Sequence, residues 1–551
     1  MAWFRRRRGD RGADADARTW RRASAIARRA VAAGVLAFGA FSCDNGIPTP
    51  PGGSPSAGIR PSVDPTYRPS GHAAAGDVSV HLFEWKWTDI ANECETVLGP
   101  AGFKAVQISP PQEHSIVPAH DWSERYQPVS YSVTRSRSGT AAEFSLMITR
   151  CRAAGVDIIA DAVINHMTNF PSPGVGSAGT AYSKYEYPGL YTSADFHPPC
   201  AVTDYSNAAS VQDCELLSLP DLNTGLATVR QKLADYLLTL ARLGVAGFRI
   251  DAAKHIQQSE LNDILTRVNT TLASEGRPLP YVFLEVAGGG ATEAIGPRDY
   301  FGIGYASGGA ADITEFTFTG VGNKFLGVNG ERISQLNPNG PPGSQFSPVA
   351  WGLMPSDKAV VFLENHDTQH QCGLGYRDAN ALRLANVWML AQPYGYPSIL
   401  SSFAFACPSG NSIGPPSDAA GNTTAVRCAA SMETAQIGEW VCEHRDPFIR
   451  NMVAFRRIVA GADENHWWDD GANAIAFTRG DKGFVAINNG STRVQATVAT
   501  GMAAGTYCDR IGGGQRAGGC AGASVVVSAV GMATLDLAPR TAIVIDVTTK
   551  Q

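Results

Sequence analysis

Four short segments of the chain share one pattern, an apolar run that ends on polar residues. They read IIADAVINH from Ile158, GFRIDAAKH from Gly247, VFLEV from Val282 and VFLENHD from Val361. A strand that is buried on both faces of a parallel sheet reads as a nearly continuous apolar run. Carboxylates at the C-terminal ends of such strands lie at the mouth of a β/α barrel, where barrel enzymes carry out their chemistry. The pattern therefore predicts one polar site assembled from several strands.

The order of strand and helix patterns indicates the fold class. Val78–Phe83 and Ala105–Ile108 read as strands, and Ala141–Ala154 reads as a helix. A clean amphipathic helix over Val229–Leu243 ends at Gly244 and leads directly into the second of the four segments. Alternating β and α elements with short links predict a parallel barrel or a doubly wound sheet.

Two regions depart from this alternation. Residues 167–219 contain Gly, Pro, Ser and Tyr with little helical period, and a connection of that length in a barrel indicates a functional insertion. From about Asn465 the sequence changes to short strands separated by Gly-rich turns, which indicates an antiparallel β domain.

We therefore predict an α/β fold, a (β/α)8 TIM barrel with a loop-rich subdomain inserted after strand 3 and a C-terminal antiparallel β domain. The predicted parts are a targeting segment 1–43, a flexible linker 44–76, the barrel in two stretches 77–166 and 222–460, the inserted subdomain 167–221, and a C-terminal β-sandwich domain 461–551.

The charge balance excludes one class of partner. The 551-residue chain is 44% hydrophobic and 17% charged, with a net charge of −5. Residues 1–43 carry ten Arg against three Asp, which is +7, so the remainder carries −12. An acidic body argues against nucleic acid as the partner. We expect no nucleic-acid partner, and we expect a monomer.

The N-terminus is typical of an exported protein. A basic stretch, Arg5–Arg29, precedes an apolar stretch, Val31–Phe41, that is too short to span a bilayer as a mature helix. Cys43, followed by a Pro/Gly/Ser-rich run, resembles a bacterial lipoprotein anchor and tether. We predict a secreted protein, with two alternatives left open: lipidation of Cys43 or an ordinary cleaved signal.

Cysteine usage agrees with export. Ten of the eleven cysteines remain once Cys43 is set aside, and an even number in an exported chain favours disulfides. Spacing makes Cys200–Cys214 and Cys508–Cys520 candidate local bridges. The sequence has no C-x-x-C pair, which argues against a zinc site.

The carboxylates of the four segments can do two kinds of work. Period two places Arg249 and Asp251 on one face of their strand, and a buried Arg needs a carboxylate neighbour. A plain Arg–Asp ion pair would explain one segment, but four segments supply Asp161, Asp251, Glu285 and Asp367. Several carboxylates at one barrel mouth either bind a divalent metal or form the acid and nucleophile of glycoside hydrolysis.

Aromatic and histidine residues in, at or past the predicted strand ends favour glycoside hydrolysis. Aromatic faces stack on sugar rings, and histidines donate hydrogen bonds to hydroxyls. These residues are Trp85, Trp87, Trp122, Tyr126, His81, His120, His166, His255 and His366.

The four segments closely resemble the four signature regions of the α-amylase family. LPDL from Leu219 fits a fifth region. HLFEWKW from His81, ERYQPVSY from Glu124 and WVCEHR from Trp440 are similar to the animal-type α-amylases and their bacterial relatives. The resemblance covers roughly residues 77–550. It implies a secreted, endo-acting α-amylase that hydrolyses α-1,4-glucosidic bonds in starch, glycogen and related glucans with retention of configuration.

The resemblance also implies a role for each site residue. Asp251 would be the nucleophile, Glu285 the general acid and base, and Asp367 the carboxylate that holds substrate hydroxyls and stabilises the transition state. Arg249 would keep Asp251 ionised, and burial would raise the pKa of Glu285 so that it can act as an acid. The residues implied to contact substrate are Arg249, His166, His366, Lys254, His255, Trp122, Tyr126 and Gln127. Ser123 stands where the family has an aromatic of the sugar platform.

A structural calcium is implied between the barrel and the inserted subdomain. Asn165 and Asp221 would donate side-chain oxygens, and Gln212 and His255 would donate backbone carbonyls, which suits calcium. The resemblance matches Cys94–Cys151, Cys200–Cys214 and Cys508–Cys520 to the family's bridges. It leaves Cys372, Cys407, Cys428 and Cys442 unassigned.

Two features depart from the animal enzymes. Arg249 and Asn365 match two of their chloride ligands, but Ser398 stands where a further basic residue is needed, so no chloride requirement is expected. The loop after Asp367, Thr368–Tyr376, is short and lacks a Gly-rich lid.

Other functions remain as alternatives. A maltooligosaccharide-forming enzyme or a transglycosylase of the same family would use the same barrel residues. A catalytically inactive glucan-binding relative would usually have lost a carboxylate, whereas Asp251, Glu285 and Asp367 are all present. A metal-dependent barrel lyase would not explain the His-Asp ending of the fourth segment or the C-terminal β domain.

Overall fold

The computed structural model describes residues 75–288, 290, 292–300, 304–305, 309–407 and 413–551. The predicted targeting segment, with Cys43, and residues 44–74 of the predicted linker lie outside the described residues.

Eight parallel strands close into a barrel in the order β1-β8-β7-β6-β5-β4-β3-β2. The strands are β1 (Ser79–Leu82), β2 (Ala105–Ile108), β3 (Asp157–Val163), β4 (Gly247–Asp251), β5 (Tyr281–Leu284), β6 (Asp312–Glu315), β7 (Ala359–Val361) and β8 (Tyr396–Ser401). The four segments found by pattern supply β3, β4, β5 and β7, so the predicted barrel is confirmed. Most residues of these strands are buried, as expected for a parallel sheet covered on both faces.

The two helices predicted from the sequence lie within two residues of their predicted bounds, at Ala141–Ala153 and Ala227–Leu243. The helices are α1 (Trp87–Glu93), α2 (Ala141–Ala153), α3 (Ala208–Gln212), α4 (Ala227–Leu243), α5 (Gln258–Ser274), α6 (Val321–Leu326), α7 (Ala379–Ala391) and α8 (Pro447–Ile458). A capping box of Thr140 and Glu143 starts α2. Gly244 ends α4 with a φ of 108°, a left-handed conformation that glycine adopts without strain. The chain then enters β4 after two residues, which fixes where Arg249 and Asp251 lie.

The segment between β3 and α4 is loop-rich, as predicted. It contains α3 and a two-stranded pairing of Gly174–Val175 with Ala181–Tyr182. An antiparallel bridge between His166 and Asp221 ties the end of this segment to the end of β3. The insertion therefore forms a wall beside the mouth of the barrel.

The C-terminal region is a two-layer antiparallel β domain. Its strands are β9 (Glu464–Asp469), β10 (Ala474–Arg479), β11 (Gly483–Asn488), β12 (Val494–Ala499), β13 (Gly505–Cys508), β14 (Ser524–Val527), β15 (Met532–Leu537) and β16 (Thr541–Asp546). One sheet has the order β9-β10-β11-β16, and β12–β15 and β13–β14 form further pairs. Along β10, Phe477 packs into the barrel core, while Ala476 packs with Leu535 in a separate core. This alternation follows from the period of two in a strand.

Five disulfides join all ten cysteines that the structure describes. The three implied bridges, Cys94–Cys151, Cys200–Cys214 and Cys508–Cys520, are confirmed. The four cysteines without an assignment form Cys372–Cys407 and Cys428–Cys442. Within the described ranges, no helix has the length and apolar character needed to cross a membrane.

Candidate active site

Parallel strands bring the predicted carboxylates to one mouth of the barrel. Asp251 is the last residue of β4, Glu285 directly follows β5, and Asp367 lies in the loop that leaves β7. Asp161 lies in β3 opposite Arg249 of β4. The side chains of Arg249, Asp161, Asp251 and Glu285 are at most 15% exposed, so solvent screens their charges weakly. The side chain of Asp367 is 35% exposed.

Arg249 is the centre of the cluster. Its Nη1 donates to Asp161 Oδ1 at 2.6 Å and to Asp251 Oδ1 at 2.8 Å. Its Nη2 lies 3.0 Å from Glu285 Oε2. A simple structural Arg–Asp pair is excluded, because one guanidinium contacts three carboxylates from three strands.

Burial dominates the ionisation of this cluster. The pKa of Asp251 is raised to about 7, because burial together with the charges of Asp161 and Asp367 outweighs the opposing effect of Arg249. That Arg249 keeps Asp251 ionised stays a prediction, and the direction of its effect on the pKa of Asp251 agrees with it. Arg249 lowers the pKa of Asp251 without bringing it down to the value of an exposed aspartate.

Glu285 and Asp367 are also shifted towards their neutral forms. Burial raises the pKa of Glu285, and the charge of Asp251 adds to this rise. Arg249 and a hydrogen bond from the Ala252 N–H lower the pKa and so oppose the rise. This agrees with the expectation that burial makes Glu285 a proton donor. The pKa of Asp367 is raised to about 7 by burial and then by Glu285.

A side-chain turn positions Asp367. Asn365 Oδ1 accepts hydrogen bonds from the N–H of Asp367 at 3.0 Å and of Thr368 at 2.8 Å. His366 Nε2 lies 3.6 Å from Asp367 Oδ1. Contacts among the residues of the fourth segment thus fix the position of Asp367 beside His366.

Four of the residues predicted to contact substrate, Tyr126, Gln127, His166 and His366, lie close together. The ring of Tyr126 stacks on His366 at 4.9 Å, and its hydroxyl donates to Asp161 Oδ2 at 3.0 Å. His166 Nε2 lies 2.9 Å from the Tyr126 carbonyl. Gln127 Oε1 accepts a hydrogen bond from Thr168 Oγ1 at 3.1 Å.

Lys254 and His255, which were predicted to contact substrate, lie between β4 and the insertion. Lys254 Nζ pairs with Glu293 Oε2 at 2.6 Å and lies 4.9 Å from the ring centre of Tyr205. His255 Nδ1 lies 2.7 Å from the Val211 carbonyl. One nitrogen of His255 is therefore occupied by the protein and is not available to substrate.

Sequence reasoning missed three residues that contact the predicted set. Tyr205 and Glu293 contact Lys254, and His370 stacks on Trp122 at 5.2 Å with an interplanar angle of 10°. All three lie in loops, where no periodic pattern shows which way a side chain points. His370 covers one face of the Trp122 indole, so that face is not available to a sugar ring.

The four predicted calcium ligands lie in two connected pairs. Asn165 and Asp221 are neighbours, because the Asn165 carbonyl accepts the N–H of Leu222 at 3.0 Å beside the His166–Asp221 bridge. Gln212 and His255 are joined through the contact of His255 with Val211. His197, which the sequence analysis did not predict, lies between the pairs. Its Nδ1 lies 2.7 Å from Asp221 Oδ2, and its Nε2 lies 4.0 Å from Oδ1 of Asp213, the residue after Gln212.

The three positions that were compared with chloride ligands, Arg249, Asn365 and Ser398, line one small cavity. Ser398 lies in β8, and His81 also lines this cavity. Arg249 is the only Lys or Arg on this cavity among the described residues. Burial lowers the pKa of His81 to about 3, with Arg249 adding to the effect, so His81 is neutral there.

Family models match part of the barrel and most of the β domain. Residues 101–283 match the model described as alpha amylase, catalytic domain, and residues 467–548 match alpha amylase, C-terminal all-beta domain. The second match coincides with the antiparallel β domain.

Individual relatives cover most of the chain. The α-amylase of Tenebrio molitor is 42% identical over 466 residues, which is 83% of this chain and 94% of the relative. The α-amylase of Tribolium castaneum is 42% identical over 480 residues, 84% of this chain and 92% of the relative. An alpha-amylase-related protein of Drosophila sechellia is 41% identical over 82% of this chain and 88% of its own length.

A solved structure agrees with the sequence relatives. Wild-type α-amylase I from Eisenia fetida superimposes with a TM-score of 0.76 at 36% identity, covering 86% of this chain and 98% of that chain. A mutant of that enzyme, in complex with maltohexaose, matches equally well. The barrel, its carboxylates, the β domain and these relatives lead to one conclusion: the chain belongs to the α-amylase family of glycoside hydrolases.

Proposed function

We propose that the protein is a secreted α-amylase that cuts internal α-1,4-glucosidic bonds of starch, glycogen and related glucans with retention of configuration. The observation that carries this proposal is the contact of one guanidinium, Arg249, with both Asp251 and Glu285, at 2.8 and 3.0 Å. Retaining glycosidases hold their two carboxyl groups about 5–5.5 Å apart. Two carboxylates that share one guanidinium fit that spacing.

The proposed reaction has two steps. Asp251 attacks the anomeric carbon through a carboxylate oxygen, and the bond from that carbon to the leaving oxygen breaks as Glu285 gives its proton to this oxygen. A water then attacks the glucosyl ester of Asp251 while Glu285, now a carboxylate, takes the proton of the water. Asp367 accepts hydrogen bonds from substrate hydroxyls and stabilises the positive charge of the transition state.

The sugar-contacting roles belong to the proposal. His166 and His366 would hydrogen-bond hydroxyls of the glucose unit at the cleavage point, His166 as an acceptor because its Nε2 donates to the Tyr126 carbonyl. Arg249 would hold the carboxylates beneath this unit. Lys254 and His255 would line the leaving-group side. Trp122, Tyr126 and Gln127 would form part of the platform on which the sugar lies. Substrate is proposed to be a glucan because the relatives are α-amylases and because maltohexaose is bound in the Eisenia fetida complex.

A structural calcium is part of the proposal, and the residues present fit it. Asp221 Oδ1 is buried and forms no hydrogen bond with the described residues. The pKa of Asp221 is raised to about 7 by burial, and a cation at Oδ1 would stabilise the carboxylate. Asn165, Gln212 and His255 would supply the other protein oxygens, so the ion would fasten the insertion to the barrel.

Chloride independence follows from Ser398. Arg249 already contacts three carboxylates, and the cavity that it shares with Ser398 offers no further Lys or Arg within the described part of the chain. An anion would have to bind there against the charge of the carboxylates. We expect activity to stay constant when chloride replaces acetate at equal ionic strength, and a several-fold rise would contradict this.

Secretion is proposed from the disulfides. Five bridges in the described residues suit an oxidising compartment outside the cytosol. A lipid anchor at Cys43 stays a prediction, because that residue lies outside the described part of the chain. The monomeric state also stays a prediction.

Product analysis on amylose tests the proposal. We expect proton NMR to show the α-anomer first, before mutarotation, with a fall in iodine staining that precedes the release of short sugars. Appearance of the β-anomer first would contradict retention. A single product length from the start would favour the maltooligosaccharide-forming alternative. Products longer than the substrate would favour a transglycosylase. Binding without hydrolysis would favour an inactive relative.

A further inference from the structure

The loop that carries Asp367 is fastened to the rest of the barrel mouth. After β7 the chain passes through Asp367, a turn over Thr368–Gln371 and a second turn over Tyr376–Asp378 before α7 begins. Its length would allow several positions if it were attached only at its two ends. Side-chain contacts fix it at three further points.

The first point is His370, which completes a closed ring of five aromatic side chains. Neighbouring ring centres lie 4.8 to 6.1 Å apart around the circle. The members in order are Trp122, His370, Phe405, Phe403 and Phe83, and Phe83 closes the ring on Trp122. The N–H of His370 also donates to the Asp367 carbonyl at 3.2 Å. His370 therefore connects Asp367 directly to the aromatic ring.

His370 acts in this ring by packing. Its side chain is 7% exposed, and neither ring nitrogen forms a hydrogen bond with the described residues. A flat apolar ring of similar width should therefore replace it. This distinguishes a packing role from a role in which the imidazole bonds to substrate.

The second and third points join the same loop to the segment after β8. The Cys372–Cys407 disulfide crosses between them. The Tyr376 hydroxyl donates to the Phe405 carbonyl at 2.9 Å and accepts the Phe405 N–H at 3.0 Å. The guanidinium of Arg377 lies 5.0 Å from the centres of both rings. Together these contacts leave the loop little freedom to move independently.

We propose that His370 and the Cys372–Cys407 disulfide are positioning residues that hold Asp367 in its working place before substrate arrives. The inference rests on the proposed function, in which Asp367 stabilises the transition state. A group that acts only in the transition state must be held accurately, and a displacement of about 1 Å can cost a large factor in rate. Fixing the loop in advance also removes the ordering cost that a mobile loop would pay on binding.

Kinetics of two sets of variants on maltoheptaose test the inference. We expect His370→Ala to lower kcat about tenfold, equivalent to about 1.4 kcal/mol of activation free energy, with a change in KM of less than about twofold. His370→Phe should recover most of kcat because it restores the ring. The double variant Cys372→Ser/Cys407→Ser should lower kcat about fivefold, or about 1 kcal/mol.

The matched control is the double variant Cys508→Ser/Cys520→Ser, which removes a disulfide from the β domain far along the chain. Its kcat and KM should equal those of the wild type even if its Tm falls. The inference is overturned if the His370→Ala and Cys372→Ser/Cys407→Ser variants keep wild-type kcat. It is also overturned if His370→Phe is as slow as His370→Ala, since the imidazole itself would then be needed. A wild-type protein that does not cleave maltoheptaose would instead contradict the proposed function.

Discussion

One side chain, Arg249, organises the chemistry at the residue scale. Three buried carboxylates would repel one another strongly without a cation between them. The guanidinium suits this position because its fork offers several donors in one plane. Burial nonetheless raises the pKa of Asp251 and Glu285. For Glu285 this shift favours the protonated form that a general acid needs.

The first prediction concerns the pH dependence of Arg249→Gln. Arg249 lowers the pKa of Asp251 and of Glu285, so its removal should raise both and move the bell-shaped profile of kcat/KM to higher pH, by about one unit or more. The apparent pKa values belong to the cluster and not to single residues. Activity at pH 5 should fall more than activity at pH 8.

Arg242→Gln is the control for this experiment. Arg242 forms an ion pair with Glu275 on the outside of the barrel, and its loss should leave the profile in place. A profile of Arg249→Gln that falls in height without moving along the pH axis would contradict the electrostatic role.

At the scale of the element, the strands that carry the site were predictable and the loops around it were not. The strands β3, β4, β5 and β7 carry apolar runs whose ends fix the direction of Arg249, Asp251 and Glu285. The contacts of Tyr205, Glu293 and His370 depend on the way in which long loops pack against each other. The periodicity of the sequence does not predict this packing. The pairing of Cys372 with Cys407 has the same origin, since only the loop fold brings them together.

The calcium prediction belongs to the insertion. We expect a chelator to lower the Tm of the wild type and calcium to restore it, because an ion that binds only the folded state at a hundred times its Kd adds about 2.7 kcal/mol. Asp221→Asn should lower the Tm and abolish its response to calcium. Asp235→Asn, on the exposed face of α4, is the matched control and should respond like the wild type. A Tm of the wild type that does not change with chelator would rule out a structural calcium.

At the scale of the whole molecule, a buried arginine joins the β domain to the barrel. Within the barrel, Arg456 of α8 donates to the Gln392 carbonyl at 2.7 Å and to the Gly395 carbonyl at 2.5 Å. Arg479 of β10 donates to the carbonyls of Ala391 and, at 2.8 Å, of Ala462. Cations at the carbonyl ends of helices α7 and α8 are favoured by the helix dipoles. We infer that the β domain supports the barrel by holding the ends of these helices.

Two buried carboxyl groups, Glu443 and Glu364, make the stability of the protein depend on pH. Glu443 is 2% exposed and its pKa is raised to about 8, chiefly by burial. Burial and Glu443 raise the pKa of Glu364 as well. A carboxyl whose pKa is higher in the folded state contributes its stability below the unfolded value of about 4.3. That contribution is lost as the pH rises through the folded pKa.

We therefore predict that Glu443→Gln becomes more stable relative to the wild type as the pH rises from 5 to 8. The gain should be at most about 1.4 kcal/mol per pH unit. It can be followed as the difference in Tm at a fixed scan rate. Glu275→Gln, at an exposed ion pair, should show no such trend. An equal difference at pH 5 and pH 8 would contradict the assignment of a neutral buried pair.

The central claim is that Asp251 is the nucleophile of a retaining glucan hydrolase. The most direct measurement is the kcat of Asp251→Asn on soluble starch, compared with the wild type at the same pH. Because the amide cannot form the glucosyl ester, we predict a fall of at least about a thousandfold, with an unchanged Tm showing that the barrel is intact. Activity near the wild-type level would contradict the mechanism.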